Sequence, residues 1–566
     1  MTSVRWLPIG ALLFFAASLA LAPMTESDLF FRLAAGREIL AHHALPAHNL
    51  FSFTAPDFPD LDASWLFEVG AALLFRLGGF PAVVVAKAVL VVAVAAAAFA
   101  LCRRRGAGAV SASLAVAAAL WVMQERLVER PHIFSFAGEI TLLLALERIE
   151  SESGVLRWAV ALLAGVVIWA NLHAGVFVAP VLLALFALGA AIDRRRALVA
   201  LAAALALASA AAMLATPIGV GIFRYLSLHL TIPRLHAVDE FRAISVQSDG
   251  PLIAYAFAIA VALPLAWRAG AGMRRLLPVV GLGALAAHSV RFGADFALAA
   301  APVLAVAASA LAARFVNASG ARASLVGSAL LVALALGPRV AAARAGRPVT
   351  KSFLDIGLDR SPLPLEGIQF VEENHLRDRM YNDFEIGSYL IFEGYPRHRV
   401  FIDPRLPAYP PEFHELLGRF DLTRDEWERA MERYGVDSAL LAYAGLNRRV
   451  SWWDPARWAL IYRQHDARVF VRRLPKWRAL IAAREIPATF SFTVEEGTET
   501  LPIDEPPAAS PVPACEWERR LGDLFAEIDE GRPARAVAAY RRALAVPGCL
   551  APADEAALRK WLSPEP

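Results

Sequence analysis

The sequence predicts an α-helical polytopic membrane protein that ends in a smaller extracytoplasmic α/β domain and a short helical tail. Two observations predict the membrane part. Apolar residues make up 57% of the chain, and long apolar runs recur from Trp6 to about Val340. A hydrocarbon core ~30 Å thick needs ~20 mostly apolar residues per helical span. A third observation predicts the α/β domain: beyond Val340 the sequence becomes polar and mixed, with strand-like and helix-like segments in alternation.

The apolar runs predict a transmembrane domain over residues 1–345 with about eleven spans. The runs are 6–24, 80–102, 107–124, 132–148, 155–171, 174–192, 197–216, 251–267, 276–290, 295–313 and 324–340. The stretch from Trp65 to Gly78 is too short to span, so it predicts an interfacial helix in a first outer loop at 25–78. Ala20-Leu21-Ala22 resembles a signal-peptide cleavage site, but the first run is long for a signal peptide, and we expect an uncleaved anchor.

The arginines predict the orientation of these spans. With the N-terminus in the cytoplasm, every even-numbered connection is basic, as the positive-inside rule requires. These connections contain Arg103 to Arg105, Arg148 and Arg157, Arg194 to Arg196, Arg268, Arg274 and Arg275, and Arg314 and Arg322. An odd number of spans then places the C-terminal domain outside, and we expect a multi-pass protein of a bacterial inner membrane. The formal net charge of +3 argues against nucleic acid as a partner.

Polar residues collect at the span ends that face outward in this topology. Glu26 and Asp28 directly follow the first span, where Thr25 and Asp28 also fit a variant capping box that starts a helix. Ionisable groups at a membrane boundary are candidates for function, although interfacial snorkelling and helix capping also explain such positions. The other candidate site residues are Arg130, His132, Asn171, His173, Glu240, His288 and Arg291.

The C-terminal region predicts three parts. Residues 346–493 predict a small three-layer α/β domain, with strands at 399–405 and 436–441, a hairpin formed by 458–462 and 467–471, and helices at 365–376, 411–420 and 424–434. Residues 494–513 are rich in Glu and Pro and predict a linker, and residues 514–566 predict a helical hairpin tail. Cys515 and Cys549 lie on flanking segments of that tail and are a candidate disulfide if the region is outside the cytoplasm. Asp403 and Arg405 lie at the end of the predicted strand 399–405. We expect them to form an ion pair within a turn and not to bind a ligand.

Several motifs resemble a known superfamily. They are Glu26-x-Asp28, Phe30-Phe31-Arg32-Leu33-Ala34-Ala35-Gly36-Arg37, the segment from Leu45 to Thr54, Ser64-Trp65-Leu66, Arg130-Pro131-His132-Ile133-Phe134-Ser135-Phe136 and Trp169-Ala170-Asn171-Leu172-His173. Together they resemble the GT-C superfamily of glycosyltransferases, which includes protein O-mannosyltransferases, aminoarabinose transferases and oligosaccharyltransferases. The last two motifs resemble uncharacterised bacterial members. The resemblance covers the layout of residues 1–340, with specific motifs in its first half.

The resemblance implies an inverting glycosyltransferase that takes its sugar from a polyprenyl-phosphate-linked donor. Asp28 would be the base, and Glu26 would orient it, or the two would hold a divalent cation such as Mg²⁺ or Mn²⁺. The remaining candidates would contact phosphate or sugar. Besides the donor and the membrane lipids, the implied partner is an envelope glycan, lipid or protein acceptor.

Two other interpretations stay open. A transporter or lipid flippase typically shows internal repeats and broken spans, and the sequence contains no evident repeat. A non-catalytic envelope scaffold would use the outer domain to bind glycan and would not need Asp28.

Overall fold

The computed structural model describes residues 6–151, 154–231, 241–315, 320–344, 356–418, 423–442, 448–493, 497–528 and 534–563. The chain forms two compact units. The first consists of Met1–Ala47, Pro59–Asp359 and Pro410–Gly418. The second consists of His48–Phe58, Arg360–Tyr409 and Arg419–Pro566. Residues 48–58 of the predicted first outer loop therefore fold with the second unit.

The first unit is helical. Its helices are α1 (Leu7–Ala20), α2 (Asp28–His42), α3 (Trp65–Arg104), α4 (Ala109–Met123), α5 (Ile133–Ser151), α6 (Val155–Leu172), α7 (Val178–Ile192), α8 (Arg196–Ala212), α9 (Gly221–Thr231), α10 (Gly250–Arg268), α11 (Met273–His288), α12 (Gly293–Phe315) and α13 (Gly320–Arg344), with the short α16 (Pro411–Gly418) later in the chain. Each predicted apolar run coincides with one of these helices. Their buried surfaces are rich in alanine, which lets the helices approach one another closely.

Five helices in the described part of the chain are long and apolar enough to cross a membrane. They lie at Trp65–Arg104, Val155–Leu172, Ala174–Ile192, Gly250–Arg268 and Val290–Arg314, and shorter apolar helices lie at Leu7–Ala20, Arg196–Ala212 and Ala321–Gly337. The chain is thus equipped to span a membrane, while the total of eleven spans stays a prediction.

Helix α3 is divided at two glycines. Gly78 and Gly79 have non-helical backbone angles, and Gly79 has φ of +63°, a conformation that favours glycine. The break separates residues 65–77 from 80–104. It therefore falls at the predicted boundary between the interfacial helix and the second span.

The second unit contains a mixed four-stranded sheet. Its strands are β1 (Met380–Asn382), β2 (Ser438–Ala442), β3 (Trp458–Arg463) and β4 (Ala467–Arg472), in the order β1-β2-β4-β3. Only β1 and β2 are parallel; β3 and β4 form the predicted hairpin. The helices of this unit are α14 (Leu365–Glu373), α15 (Phe384–Gly394), α17 (Arg424–Arg433), α18 (Arg478–Arg484), α19 (Ala514–Ile528), α20 (Ala534–Leu544) and α21 (Pro552–Leu562).

Helices cover both faces of this sheet. Tyr381 of β1 is in register with Ala439 of β2, and Trp427 of α17 packs edge-on against the Tyr381 ring, with centroids 5.2 Å apart. On the opposite face, Gly367 of α14 lies against Leu440 and Ala467. The region is therefore the three-layer α/β arrangement expected from its alternating pattern.

Residues 399–405 do not form the predicted strand. Val400 makes one isolated parallel bridge with Ser52, and the side chain of Asn382 takes up the backbone groups that a neighbouring strand would use. Its Oδ1 accepts the N–H of Phe401 at 2.8 Å, and its Nδ2 donates to the carbonyl of Ile402 at 2.8 Å. The segment is apolar because it is buried, and burial alone does not make a strand.

Part of the predicted linker is also structured. Within residues 494–513, β6 (Gly497–Pro502) pairs antiparallel with β5 (Ala488–Thr493). The Glu and Pro content suggested a linker, but the backbone hydrogen bonds depend on the partner strand. In the tail, Cys515 and Cys549 are joined by a disulfide.

Candidate active site

The first acidic residues of the loop sit at the start of α2. The helix begins at Asp28, and the N-cap residue, Ser27, makes no side-chain cap hydrogen bond. Instead, Oε1 of Glu26 accepts the backbone N–H of Asp28 at 3.0 Å. The predicted capping box between Thr25 and Asp28 is therefore wrong, because Asp28 is already the first helical residue and Glu26 does the capping.

Arg130 joins the two carboxylates. Its Nε lies 2.8 Å from Oε2 of Glu26, and its Nη2 lies 3.2 Å from Oδ2 of Asp28. We call Glu26, Asp28 and Arg130 the Arg130 clamp. Arg130 stands just before α5, so the clamp links residues more than a hundred positions apart. Its carboxylates are mostly buried, which strengthens the attraction between the charges.

The helix that carries Asp28 is held by a close contact with α3. Gly36 of α2 packs directly against the backbone of Glu68, and Arg32, one turn earlier, forms an ion pair with the Glu68 carboxylate at 3.2 Å. Arg32 also lies over the rings of Phe31 and Phe67. These contacts explain the Phe30 to Arg37 motif as a helix–helix interface, and they fix the helix on which Asp28 stands.

Two predicted histidines come together beside the clamp arginine. The rings of His132 and His173 have centroids 6.4 Å apart. Nδ1 of His173 accepts the Gly175 N–H at 3.2 Å, and it lies 2.7 Å from Oγ of Ser135. Because an N–H donates to Nδ1, the neutral ring carries its proton on Nε2. The Nε2 of His132 lies 2.7 Å from the carbonyl of Arg126, which can only accept, so that nitrogen is also protonated.

Ser135 is a residue that the sequence analysis did not select. Its Oγ accepts the indole N–H of Trp169 at 2.8 Å and bonds to His173, so one hydroxyl connects two predicted motifs. The available signal was its position three residues after His132, at the start of the predicted span 132–148.

Asn171 is used as a structural junction. Its Oδ1 accepts the indole N–H of Trp65 at 2.8 Å, and its Nδ2 donates to the carbonyls of Val167 and Ala215. These bonds tie α6 to the start of α3. A role in substrate binding stays a prediction.

The remaining candidates lie around the start of α12. His288 is exposed at the end of α11, and the Arg291 guanidinium lies over the Phe241 ring at 4.8 Å. Arg126, Arg291 and Glu139 are ionisable neighbours of Asp295. Glu240 lies outside the described residues. Lys87 forms a buried ion pair with Glu129 at 2.7 Å.

The two clamp carboxylates are oxygen ligands of the kind that a divalent cation prefers. Both carboxylates already contact Arg130, and no third acidic, histidine or cysteine ligand joins them in the described part of the chain. A group of that kind occurs elsewhere, at Glu366, His465 and Asp466. Asp466 there accepts hydrogen bonds from the Gly367 N–H and the Tyr462 hydroxyl. A cation at Glu26 and Asp28 therefore stays a prediction, and no step below depends on it.

Comparison with solved structures decides the fold type. The archaeal oligosaccharyltransferase AglB from Archaeoglobus fulgidus, in complex with an inhibitory peptide and a dolichol-phosphate, is similar with a TM-score of 0.52 at 10% identity, covering 87% of this chain and 74% of that one. A second structure of the Archaeoglobus fulgidus oligosaccharyltransferase, tethered with an acceptor peptide, has a TM-score of 0.54 at 10% identity and covers 88% and 74%. The chain shares the fold of this oligosaccharyltransferase.

The GT-C resemblance predicted from the sequence is thereby confirmed at the level of the fold. The structure of ArnT from Cupriavidus metallidurans bound to undecaprenyl phosphate also matches, with a TM-score of 0.48 at 15% identity over 81% of this chain and 96% of that one. Comparisons with protein-family models and with curated proteins give no match.

Proposed function

We propose that this protein is a membrane glycosyltransferase that transfers a sugar from a polyprenyl-phosphate-linked donor to an acceptor, with inversion, on the extracytoplasmic face of a bacterial inner membrane. The GT-C fold supports the reaction class, and the similar oligosaccharyltransferase was solved with a dolichol-phosphate. The observation that carries the proposal is the Arg130 clamp, because it pairs a general base with a phosphate-binding cation.

Asp28 is the proposed base. The acceptor hydroxyl gives its proton to the Asp28 carboxylate while its oxygen bonds to the anomeric carbon of the donor. The bond from that carbon to the phosphate oxygen breaks, and the polyprenyl phosphate leaves with the electron pair. Attack opposite the leaving group inverts the anomeric centre. Glu26 holds the Asp28 backbone through its hydrogen bond and orients the base.

Arg130 is the proposed phosphate-binding residue. In the clamp its positive charge is compensated by Glu26 and Asp28. When Asp28 takes up a proton, it loses its negative charge and no longer compensates the charge of Arg130. This happens while negative charge grows on the leaving phosphate. The guanidinium can then stabilise the phosphate through charge-assisted hydrogen bonds. His132 and His173 are proposed to add contacts to the sugar or phosphate.

The outward orientation has two supports. Short basic connections fit the positive-inside rule, and the disulfide between Cys515 and Cys549 fits an oxidising compartment. The second unit, which contains both cysteines, would then face the envelope.

The test is a profile of envelope glycans and lipid-linked sugars in cells that express wild type, a deletion, Asp28→Asn or Asp57→Asn. Asp57 is an exposed aspartate of the first outer loop and serves as the matched control. We expect Asp28→Asn to match the deletion, with a missing sugar and accumulated lipid-linked donor, and Asp57→Asn to match wild type. If Asp28→Asn matches wild type at equal expression while the deletion has a phenotype, the transporter or scaffold interpretation replaces this one.

A further inference from the structure

The turn between β3 and β4 carries a group of metal-ligating side chains that the proposed transfer reaction does not use. His465 and Asp466 lie in this turn, and Glu366 lies in the first turn of α14. An imidazole nitrogen of His465 and one carboxylate oxygen from each acid lie within 4.8 Å of one another. Glu366 and His465 are exposed, so small rotations of their side chains can bring the three atoms to the ~2.0–2.2 Å that a zinc–ligand bond requires.

The backbone holds the two segments of this group together. The N–H of Gly367 donates to Oδ2 of Asp466 at 3.0 Å, and a Cβ atom at position 367 would lie 2.6 Å from the Cβ of Ala467. The turn is closed by a hydrogen bond from the N–H of Gln464 to the carbonyl of Ala467 at 3.1 Å. The start of α14 is therefore packed tightly on the hairpin, and the ligands come from two distant parts of the chain on a fixed framework.

Asp466 is oriented by hydrogen bonds to both of its oxygens. Oδ2 accepts the Gly367 N–H, and Oδ1 accepts the hydroxyl of Tyr462 at 3.2 Å. Each carboxylate oxygen has two lone pairs, so each keeps one for a further contact. Carboxylates that bind metals are commonly held by hydrogen bonds of this kind. Capping of α14 explains the position of Asp466, but it does not explain why His465 and Glu366 lie beside it.

The two carboxylates of the group have no balancing charge from the protein. Among the described residues, no lysine or arginine forms an ion pair with Glu366 or Asp466. Two arginines of the hairpin have other partners, since Arg463 pairs with Glu527 and Arg468 donates to two backbone carbonyls of the turn. Like charges held this close repel each other, and a cation bound between them replaces that repulsion by attraction to both.

We propose that Glu366, His465 and Asp466 bind one zinc ion, which links α14 to the hairpin of β3 and β4. Zn²⁺ takes imidazole nitrogen and carboxylate oxygen as ligands, whereas Mg²⁺ and Ca²⁺ prefer oxygen ligands throughout. Three ligands from the protein leave a further position for water. The ion stabilises the second unit, because it binds the ligands when folding has brought them together and not when they are apart.

The experiment titrates Zn²⁺ into purified full-length protein after EDTA treatment and removal of the chelator, and follows binding by calorimetry and by the melting temperature. We expect one saturable site, weaker binding of Mg²⁺, and a higher melting temperature with Zn²⁺. Glu366→Gln and His465→Ala should each weaken binding at least about tenfold, because loss of a residue that merely supports a ligand already costs that much. Glu373→Gln, on the same helix, and His48→Ala change exposed residues outside the group and should bind as the wild type does.

Three results would overturn the proposal. They are a lack of saturable Zn²⁺ binding, Mg²⁺ binding as tightly as Zn²⁺, or wild-type affinity in both Glu366→Gln and His465→Ala. Circular dichroism and melting curves of the metal-free variants establish that they are folded. Asp28→Asn should bind Zn²⁺ as the wild type does. That result separates this site from the Arg130 clamp, and a failure of the proposed transferase activity leaves the test intact.

Discussion

Gly36 packs so closely against Glu68 that a Cβ atom at position 36 would lie 2.1 Å from the Glu68 carbonyl oxygen. A contact of this length between α2 and α3 leaves no room for any side chain. It brings the backbone of the helix that carries Asp28 against residues 65–77 of α3, where Arg32 then reaches the Glu68 carboxylate. The position of the candidate base therefore depends on one glycine eight residues away.

Gly36→Ala should destabilise the protein, because two helix backbones must separate to admit the methyl group. We expect a loss of about 1–3 kcal/mol, the usual range for overpacking, measured as a lower melting temperature in detergent. Gly70→Ala is the matched control, since a Cβ at Gly70 of α3 meets no atom within 4 Å and alanine is the better helix former. Equal melting temperatures for the two variants would contradict the close packing.

Arg130→Gln should reduce sugar transfer by about 100-fold or more, in the range seen when one group that stabilises transition-state charge is removed. It should affect kcat more than the KM for the acceptor, because the guanidinium acts on the leaving phosphate. An assay with purified protein and synthetic lipid-linked donor measures both constants. The control is Arg76→Gln, which changes an exposed arginine before the break in α3 and should keep wild-type activity. A change confined to the acceptor KM would reassign Arg130 to acceptor binding.

Tyr409→Phe should weaken the second unit. Burial raises the pKa of the Tyr409 phenol, and the nearby Asp403 charge acts in the same direction, so the hydroxyl keeps its proton and donates to Asp403 at 2.6 Å. Removing it leaves the fully buried Asp403 carboxylate with one donor fewer, at a cost of about 1–3 kcal/mol. Urea unfolding followed by tryptophan fluorescence measures this loss. Asp57→Asn, on the exposed surface of the segment 48–58, should leave the midpoint unchanged.

The disulfide between Cys515 and Cys549 gives a test of orientation. In protein from envelope fractions, Cys515 and Cys549 should not react with a maleimide before the disulfide is reduced. After reduction both should react, while the buried Cys102 should not. The bond closes a loop of 34 residues, so its loss should cost about 3–4 kcal/mol of tail stability in the chain-entropy description. Free thiols in freshly isolated protein would contradict an extracytoplasmic second unit.

Treatment with a chelator distinguishes a clamp that works through Arg130 alone from one in which Glu26 and Asp28 hold a divalent cation. Because Arg130 already contacts both the Glu26 and the Asp28 carboxylates, we expect EDTA to change transfer by less than about twofold in the purified enzyme. Loss of activity that Mg²⁺ or Mn²⁺ restores would show that a cation replaces the guanidinium during turnover.

The sequence was informative wherever local pattern sets structure. Apolar runs located the helices of the first unit, because ~20 apolar residues are stable in lipid only when helical. The glycine pair at 78–79 marked the break in α3. The alternating pattern gave the hairpin of β3 and β4. In contrast, the segment around Val400 had the composition of a strand, but the Asn382 side chain occupies the place of its neighbour.

The sequence by itself predicted a polytopic membrane protein that resembles the GT-C superfamily. It also selected Glu26, Asp28 and Arg130 as separate candidate site residues, because each is a charged residue at the end of a predicted span. Only the tertiary structure decided that Arg130 holds both carboxylates and that residues 48–58 fold with the second unit. Both depend on contacts between segments a hundred or more residues apart. Such contacts form through complementary shape and charge in three dimensions, and no local pattern in the chain encodes them.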